Sequence, residues 1–157
     1  MSKPEIIVEP GSQEIVTKMT FNAPRALIFK AYTDPDLIPQ WYGPRYLTTV
    51  VDVLDARAGG SWRFLNYDPE GNVYAFHGVY HDVVAPERIV QTFEYEPMAG
   101  HVILETLTLT EHGGRTTLTA VEQFADIEDL EGMYQSGMED GTEKSYNQLA
   151  ALLQKMA

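Results

Sequence analysis

After residue 12 the chain alternates, with Ile15, Thr17, Met19 and Phe21 on one side and Val16, Lys18 and Thr20 on the other. A period of two marks a strand with one buried face, so residues 12–21 are predicted to form a half-buried strand. The period then changes. Asn22 suits a cap, Pro24 fits a first helical turn, and Leu27, Ile28, Ala31 and Tyr32 recur at helical spacing until Pro35 forces a break. A second short helix is predicted over 36–41. From residue 46 to 124, apolar runs are divided by ARAGGS, DPEGN, APER, EPMAG and EHGGR, whose Gly, Pro, Asn and Asp supply turn conformations. Strands are therefore predicted near 46–55, 61–67, 72–84, 88–95, 101–111 and 115–124, with connections short enough for an antiparallel meander. Helical spacing returns over 129–156, where Met138, Ser145, Leu149, Leu152 and Met156 share a stripe. Residues 1–12, with Pro4, Pro10 and Gly11 and no clear period, read as a loose arm or a short edge strand.

The implied fold class is α+β, one domain over 1–157 in the order β-α-α-β-β-β-β-β-β-α. A curved antiparallel sheet of about seven strands must bury one face, and the C-terminal helix is the element long enough to cover it. Gly137 and Gly141 interrupt that helix one turn apart, with Ser145 a turn further on. Each glycine costs about 1 kcal/mol against alanine inside a helix. The strip is expected to leave room over the sheet, either for a cavity or for close helix-to-sheet packing.

Composition removes several function classes. The 157 residues include no cysteine, which excludes a disulfide framework, a zinc ribbon and a thiol nucleophile and fits a cytoplasmic protein. No stretch approaches the roughly 18 apolar residues of a membrane span, so no membrane partner is expected. The net charge of -12 is spread along the chain without a basic patch, so no nucleic-acid partner is expected either. There is no P-loop, no G-x-S-x-G elbow and no dinucleotide fingerprint, since Gly59 and Gly60 open a strand rather than a helix; no cofactor is implied. His77 and His81 would align on a helix, but four residues of strand separate them by about 13 Å, so no metal site is expected.

The EHGG hairpin sets the candidate chemistry. Pairing Glu111 with Gly114 turns Ile103, Glu105, Leu107, Leu109, Leu118, Ala120 and Glu122 inward, opposite outer rows of threonine, and makes Glu105 and Glu122 diagonal neighbours. Two carboxylates on a concave apolar face raise at least one pKa through desolvation and repulsion; a bulge, or a place at the open end of the sheet, would leave them in water. Strand parity also turns Trp62 and Phe64 to one face, and Phe93 with Tyr95. Trp41 and Tyr42, in QWYGP, either close the mouth of a cavity or anchor a turn. The candidate ligand-binding residues are Trp41, Trp62, Phe64, Phe76, Phe93, Tyr95, Ile103, Glu105, Leu107, Leu118, Ala120, Glu122, Met138, Gly141 and Ser145. No catalytic residue is assigned outright; the candidates are Glu105, Glu122 and His77, and for His77 parity is no guide, because Gly78 in YAFHGVYHDV is expected to mark a bulge.

Five stretches in order carry a resemblance: FNAPRALIFKAYTDPDLIPQWYGP from Phe21, DARAGGSWRF from Asp55, HGVYHDVVAPERIVQTF from His77, ETLTLTEHGGRTTLT from Glu105 and GMEDGTEKSYNQLAALL from Gly137. Together they resemble the activator of heat-shock-protein-90 ATPase homologue family, within the START-like helix-grip superfamily that also holds polyketide cyclases. The resemblance covers nearly the whole chain and implies a cavity between the sheet and the last helix. What it implies for function is binding of a small hydrophobic or aromatic ligand. The alternatives are a cyclase or dehydratase using Glu105 with Glu122 as acid and base, and a chaperone regulator or stress-response interaction module. The eukaryotic chaperone activators carry a further N-terminal domain, so a chaperone partner is not favoured here; a homodimer paired through a sheet edge is the other partner expectation.

Overall fold

Strand β2 (Glu14–Phe21) runs straight into helix α1 (Arg25–Thr33), because Pro24 holds the extended conformation that precedes a first helical turn. Asp34 ends the helix in an extended conformation, as the residue before Pro35 must. The computed structural model describes residues 3–157. A 3-10 turn at Ile38–Gln40 stands where a second short helix is predicted. The meander follows as β3 (Thr48–Leu54), β4 (Ser61–Tyr67), β5 (Val73–Val84), β6 (Arg88–Tyr95), β7 (Ile103–His112) and β8 (Arg115–Gln123). The N-terminal arm adopts the edge-strand form: β1 (Glu5–Ile7) pairs with β2. The antiparallel sheet thus has eight strands in the order β1-β2-β8-β7-β6-β5-β4-β3. Met1 and Ser2 of the predicted arm lie outside the described residues.

Three local expectations change. The single helix predicted over 129–156 is two, α2 (Ile127–Gln135) and α3 (Met138–Met156). Gly137 stands between them at φ 92, a left-handed conformation that glycine adopts without a Cβ clash. It is a hinge residue, not a helix interior. The second change is the β7–β8 hairpin, which closes with His112 opposite Arg115, so every pair shifts by two residues from the predicted register. Gly113 and Gly114 both take positive φ, which a tight two-residue hairpin loop demands of both central residues and which His112 would resist. A shift of two preserves which face each side chain occupies, but it sets Glu105 directly opposite Glu122. Third, the irregularity in β5 falls between Tyr80 and Asp82, not at Gly78.

The core lies on one face of the sheet in two parts. The larger joins Met19, Phe21, Leu109 and Leu118 to Ile28 and Ala31 of α1 and to Tyr146, Leu149, Leu152 and Leu153 of α3. The smaller groups Ile15, Ile103, Phe124 and Leu130, with Met133 and Met138 packed against them beneath α2. Among the described residues, no helix is long and apolar enough to cross a membrane.

Candidate functional site

Within the larger part of the core, between the sheet and α3, lies a cavity of about 230 Å³. Two adjacent rows of cross-strand neighbours make its floor. One row runs Glu122, Glu105, Gln91 and Tyr80 across β8, β7, β6 and β5; the next runs Thr17, Ala120, Leu107 and Ile89 across β2, β8, β7 and β6. Trp62, Phe64 and Phe93 form one wall, Tyr32, Ile38, Trp41 and Tyr42 another, and Thr142, Ser145 and Tyr146 of α3 the roof.

The aromatic wall is continuous. Ring centroids follow one another at 4.6 Å from Tyr32 to Trp41, 6.0 Å to Tyr42, 5.1 Å to Phe64, 4.7 Å to Trp62 and 6.0 Å to Phe93. Such tilted and edge-on contacts hold each ring against its neighbours. Backbone bonds fix the two tryptophans: Trp41 donates its indole N–H to the Ala31 carbonyl at 2.9 Å, and Trp62 donates to the Thr92 carbonyl at 3.2 Å. The Trp41 carbonyl in turn accepts from Ser145 Oγ at 3.1 Å and Gln148 Nε2 at 3.2 Å. Trp41 therefore both lines the cavity and ties the turn after α1 to α3.

Glu105 and Glu122 give the floor its polarity. As directly opposed residues their Cβ atoms stand about 4.5–5.5 Å apart. Gln91 Nε2 donates to Glu105 Oε1 at 3.0 Å, the only side-chain hydrogen bond that either carboxyl receives among the described residues. Burial pushes Glu105 well above the usual carboxylate range, against a smaller opposing effect of the Gln91 bond. Glu122 is pushed up by burial and further by the charge of Glu105. Burial also raises the Tyr32, Tyr42 and Tyr146 hydroxyls, and both carboxylates add to the rise at Tyr42 and Tyr146. Thr17, only 2 % exposed, has a buried Oγ1 with no hydrogen-bond partner among the described residues.

Of the predicted residues, Trp41, Trp62, Phe64, Phe93, Glu105, Leu107, Ala120, Glu122 and Ser145 come together around the cavity. The others do not. Leu118 belongs to the next row, sealed between Met19 and Leu109. Ile103 and Met138 lie in the smaller core under α2. Phe76 and Tyr95 continue the aromatic chain beyond Phe93, backing the wall without reaching the cavity. Gly141 is on α3 but outside the lining, and a Cβ placed there would meet no atom within 4 Å, so neither the cavity nor close packing against the sheet requires its smallness.

His77 is on the opposite face. It pairs with Arg63, whose neighbours Trp62 and Phe64 point inward, so both polar side chains point out. There His77 Nδ1 meets Glu96 at 2.9 Å, and Arg63 grips Glu96 with Nε at 2.7 Å and a second nitrogen at 2.9 Å. This outer ion cluster joins β4, β5 and the turn after β6, and has no access to the cavity. No group of three or more His, Asp or Glu is placed to hold a metal ion among the described residues.

Thr17, Tyr32, Tyr80, Gln91 and Tyr146 line the cavity outside the predicted site residues, whereas Tyr42, expected at the mouth, is in the lining. Thr17 shares the inward parity of Ile15 and Met19, which was a usable signal; Tyr32 lies on the apolar face of α1 and reads as ordinary core.

The model of the activator of Hsp90 ATPase homolog 1-like protein family matches residues 22–154. The chain belongs to this family. Among solved structures, a protein from Rhodobacter sphaeroides is 26 % identical with a TM-score of 0.90, covering 98 % of this chain and 99 % of its own. A protein from Mycobacterium smegmatis is 26 % identical with a TM-score of 0.85, covering 98 % of each chain. An AHSA1 protein from Silicibacter pomeroyi, at 21 % identity, TM-score 0.76 and coverage of 92 % and 99 %, shares the fold. No protein of curated function matches. The curved antiparallel sheet and long C-terminal helix of this chain match the fold of the family.

Proposed function

We propose that this family member binds a small, largely aromatic or apolar molecule in the cavity between the sheet and α3. The observation that carries the reading is a void of about 230 Å³ walled by an unbroken run of aromatic rings. Interiors are ordinarily packed to crystal-like density, and a void of this size beside well-packed core costs stability unless something occupies it. The volume falls below the roughly 300–1,000 Å³ typical of pockets for drug-sized ligands, which favours a molecule of one or two rings. Native mass spectrometry of gently purified protein should show a retained small molecule, or added toluene or naphthalene should raise the melting temperature. Neither effect at saturating probe would remove the proposal.

Acid–base catalysis in the same cavity is a second reading, favoured by two directly opposed carboxyls that burial pushes above the usual carboxylate range beside an aromatic wall. It calls for exchange of solvent deuterium into a bound 1,3-dicarbonyl probe, faster than in buffer and slowed in Glu105→Gln. Exchange at the wild-type rate in that variant rejects it.

A further inference from the structure

The polar inventory of the cavity is one-sided. Its lining has two carboxyls and several tyrosine hydroxyls, and among the described residues no lysine, arginine or histidine. Two opposed carboxylates offer acceptor sites on four oxygens, and the described residues supply one side-chain hydrogen bond to them, from Gln91. One row along, Thr17 Oγ1 is buried, lines the cavity and lacks a partner of its own. An acidic pair alone says little, but a buried hydroxyl beside it, unpartnered among the described residues, marks polar capacity on the floor that is left unused.

Resting on the reading of the cavity as a binding site, we infer that the ligand is an aromatic amine whose ammonium group sits between Glu105 and Glu122, within reach of Thr17. A protonated amine has the donors the floor is missing. Its charge lets both carboxyls ionise, each holding the ammonium through a charge-assisted hydrogen bond. The rings of Tyr42 and Trp41 stand in the adjacent wall, and an aromatic face attracts a cation as well as an apolar body. An anionic ligand has nothing to pair with. A neutral alcohol satisfies some acceptors but brings no charge that would let both carboxyls ionise. The raised carboxyl values have a corollary: in the empty protein the pair holds a proton, and an entering ammonium displaces it.

The test uses 2-phenylethylamine, 2-phenylethanol and 3-phenylpropanoate, titrated calorimetrically into the full chain at neutral pH in two buffers of different ionisation enthalpy. The amine is expected to bind on the order of 10-fold to 100-fold more tightly than the alcohol, the range for hydrogen bonds to a charged group, and the carboxylate most weakly. Amine binding should release protons, seen as a buffer-dependent heat, and its advantage should vanish in the Glu105→Gln, Glu122→Gln double variant. If the alcohol binds as tightly as the amine, or the amine's advantage survives in the double variant, the inference falls while the apolar container stands. Should the double variant fail to fold, amine binding without proton release in the wild type overturns it equally. Binding of none of the three probes removes both readings.

Discussion

Trp62 lies across the bare backbone of Gly78, its partner on the neighbouring strand, and reaches over it to the Thr92 carbonyl on β6. A Cβ built on Gly78 would collide with that carbonyl and come within 2.5 Å of Trp62 Nε1. The glycine is required by a side chain that must cross its strand, not by turn geometry.

Gly78→Ala should therefore displace the indole and strain β5 against β6. Overpacking of this kind costs about 1–3 kcal/mol, and here one obstacle is backbone that cannot rotate away. Urea unfolding should show the loss, and the Trp62 wall of the cavity should change its fluorescence. A variant as stable as the wild type would mean that the indole has room the geometry does not show.

The glycines of the final segment should respond in opposite directions. Gly141 is inside α3 with open space around its Cβ position, so Gly141→Ala should stabilise by about 0.5–1 kcal/mol. Gly137 holds φ 92, where an added Cβ costs about 1–2 kcal/mol, so Gly137→Ala should destabilise. Thermal unfolding of the pair checks both signs at once.

Much of this architecture is legible in the sequence, and the exceptions have physical causes. Period two and turn residues locate every strand of the meander, because a one-residue slip would expose an entire face. A slip of two leaves all faces unchanged, so parity could not distinguish Glu105 opposite Ala120 from Glu105 opposite Glu122. Only the conformational demand on Gly113 and Gly114 decides it. Helical spacing likewise runs on through Gly137, since α2 and α3 both present apolar residues to the sheet, and a left-handed hinge leaves no mark on periodicity. Inward parity finds Ile103, Leu107 and Leu118 alike. Whether an inward residue meets a cavity or another side chain depends on what covers its row, and that is a tertiary property: Leu118 is sealed and Leu107 is not.

The empty protein should lose stability as pH rises from mildly acidic toward neutral. In the unfolded chain Glu105 and Glu122 titrate near about 4.3, whereas burial holds both well above that in the fold. The folded state therefore binds more protons above that pH, and the contribution present below it is lost as pH rises through the folded values. Gln91, Tyr32, Tyr42 and Tyr146 face the pair, and none supplies a positive charge. Melting temperature measured from pH 5 to about pH 8 should fall, and Glu122→Gln should flatten the slope. A wild-type profile that is already flat contradicts the buried dyad.

Glu96 predicts the reverse on the acid side. Hydrogen bonds from Arg63 and then His77 bring its carboxyl down to about 2. Its contribution is present above the unfolded value of about 4.3 and disappears as pH falls through the folded one. Glu96→Gln should reduce the steepness of acid unfolding below about pH 4 while leaving the neutral slope untouched, because the cluster lies on the face away from the cavity. An acid limb identical to wild type would show the exposed pairs to be energetically idle, the common outcome for surface ion pairs.

Ala120 offers the most direct way to separate a container from a loosely packed core. It stands in the apolar floor row between Thr17 and Leu107, and its methyl faces the void. In a filled interior, Ala120→Leu would force neighbouring side chains off their rotamers and cost about 1–3 kcal/mol. Here the added carbons enter empty volume and exchange water or nothing for the rings of the wall, so stability should hold or rise, with about 0.8 kcal/mol available per buried methylene. The same atoms take space from any occupant, so toluene and 2-phenylethylamine should both lose affinity, the amine despite its intact carboxylate partners. Retained stability with lost binding is the signature of a cavity that exists to be filled by something else; lost stability with unaltered binding would place the ligand away from the floor row altogether.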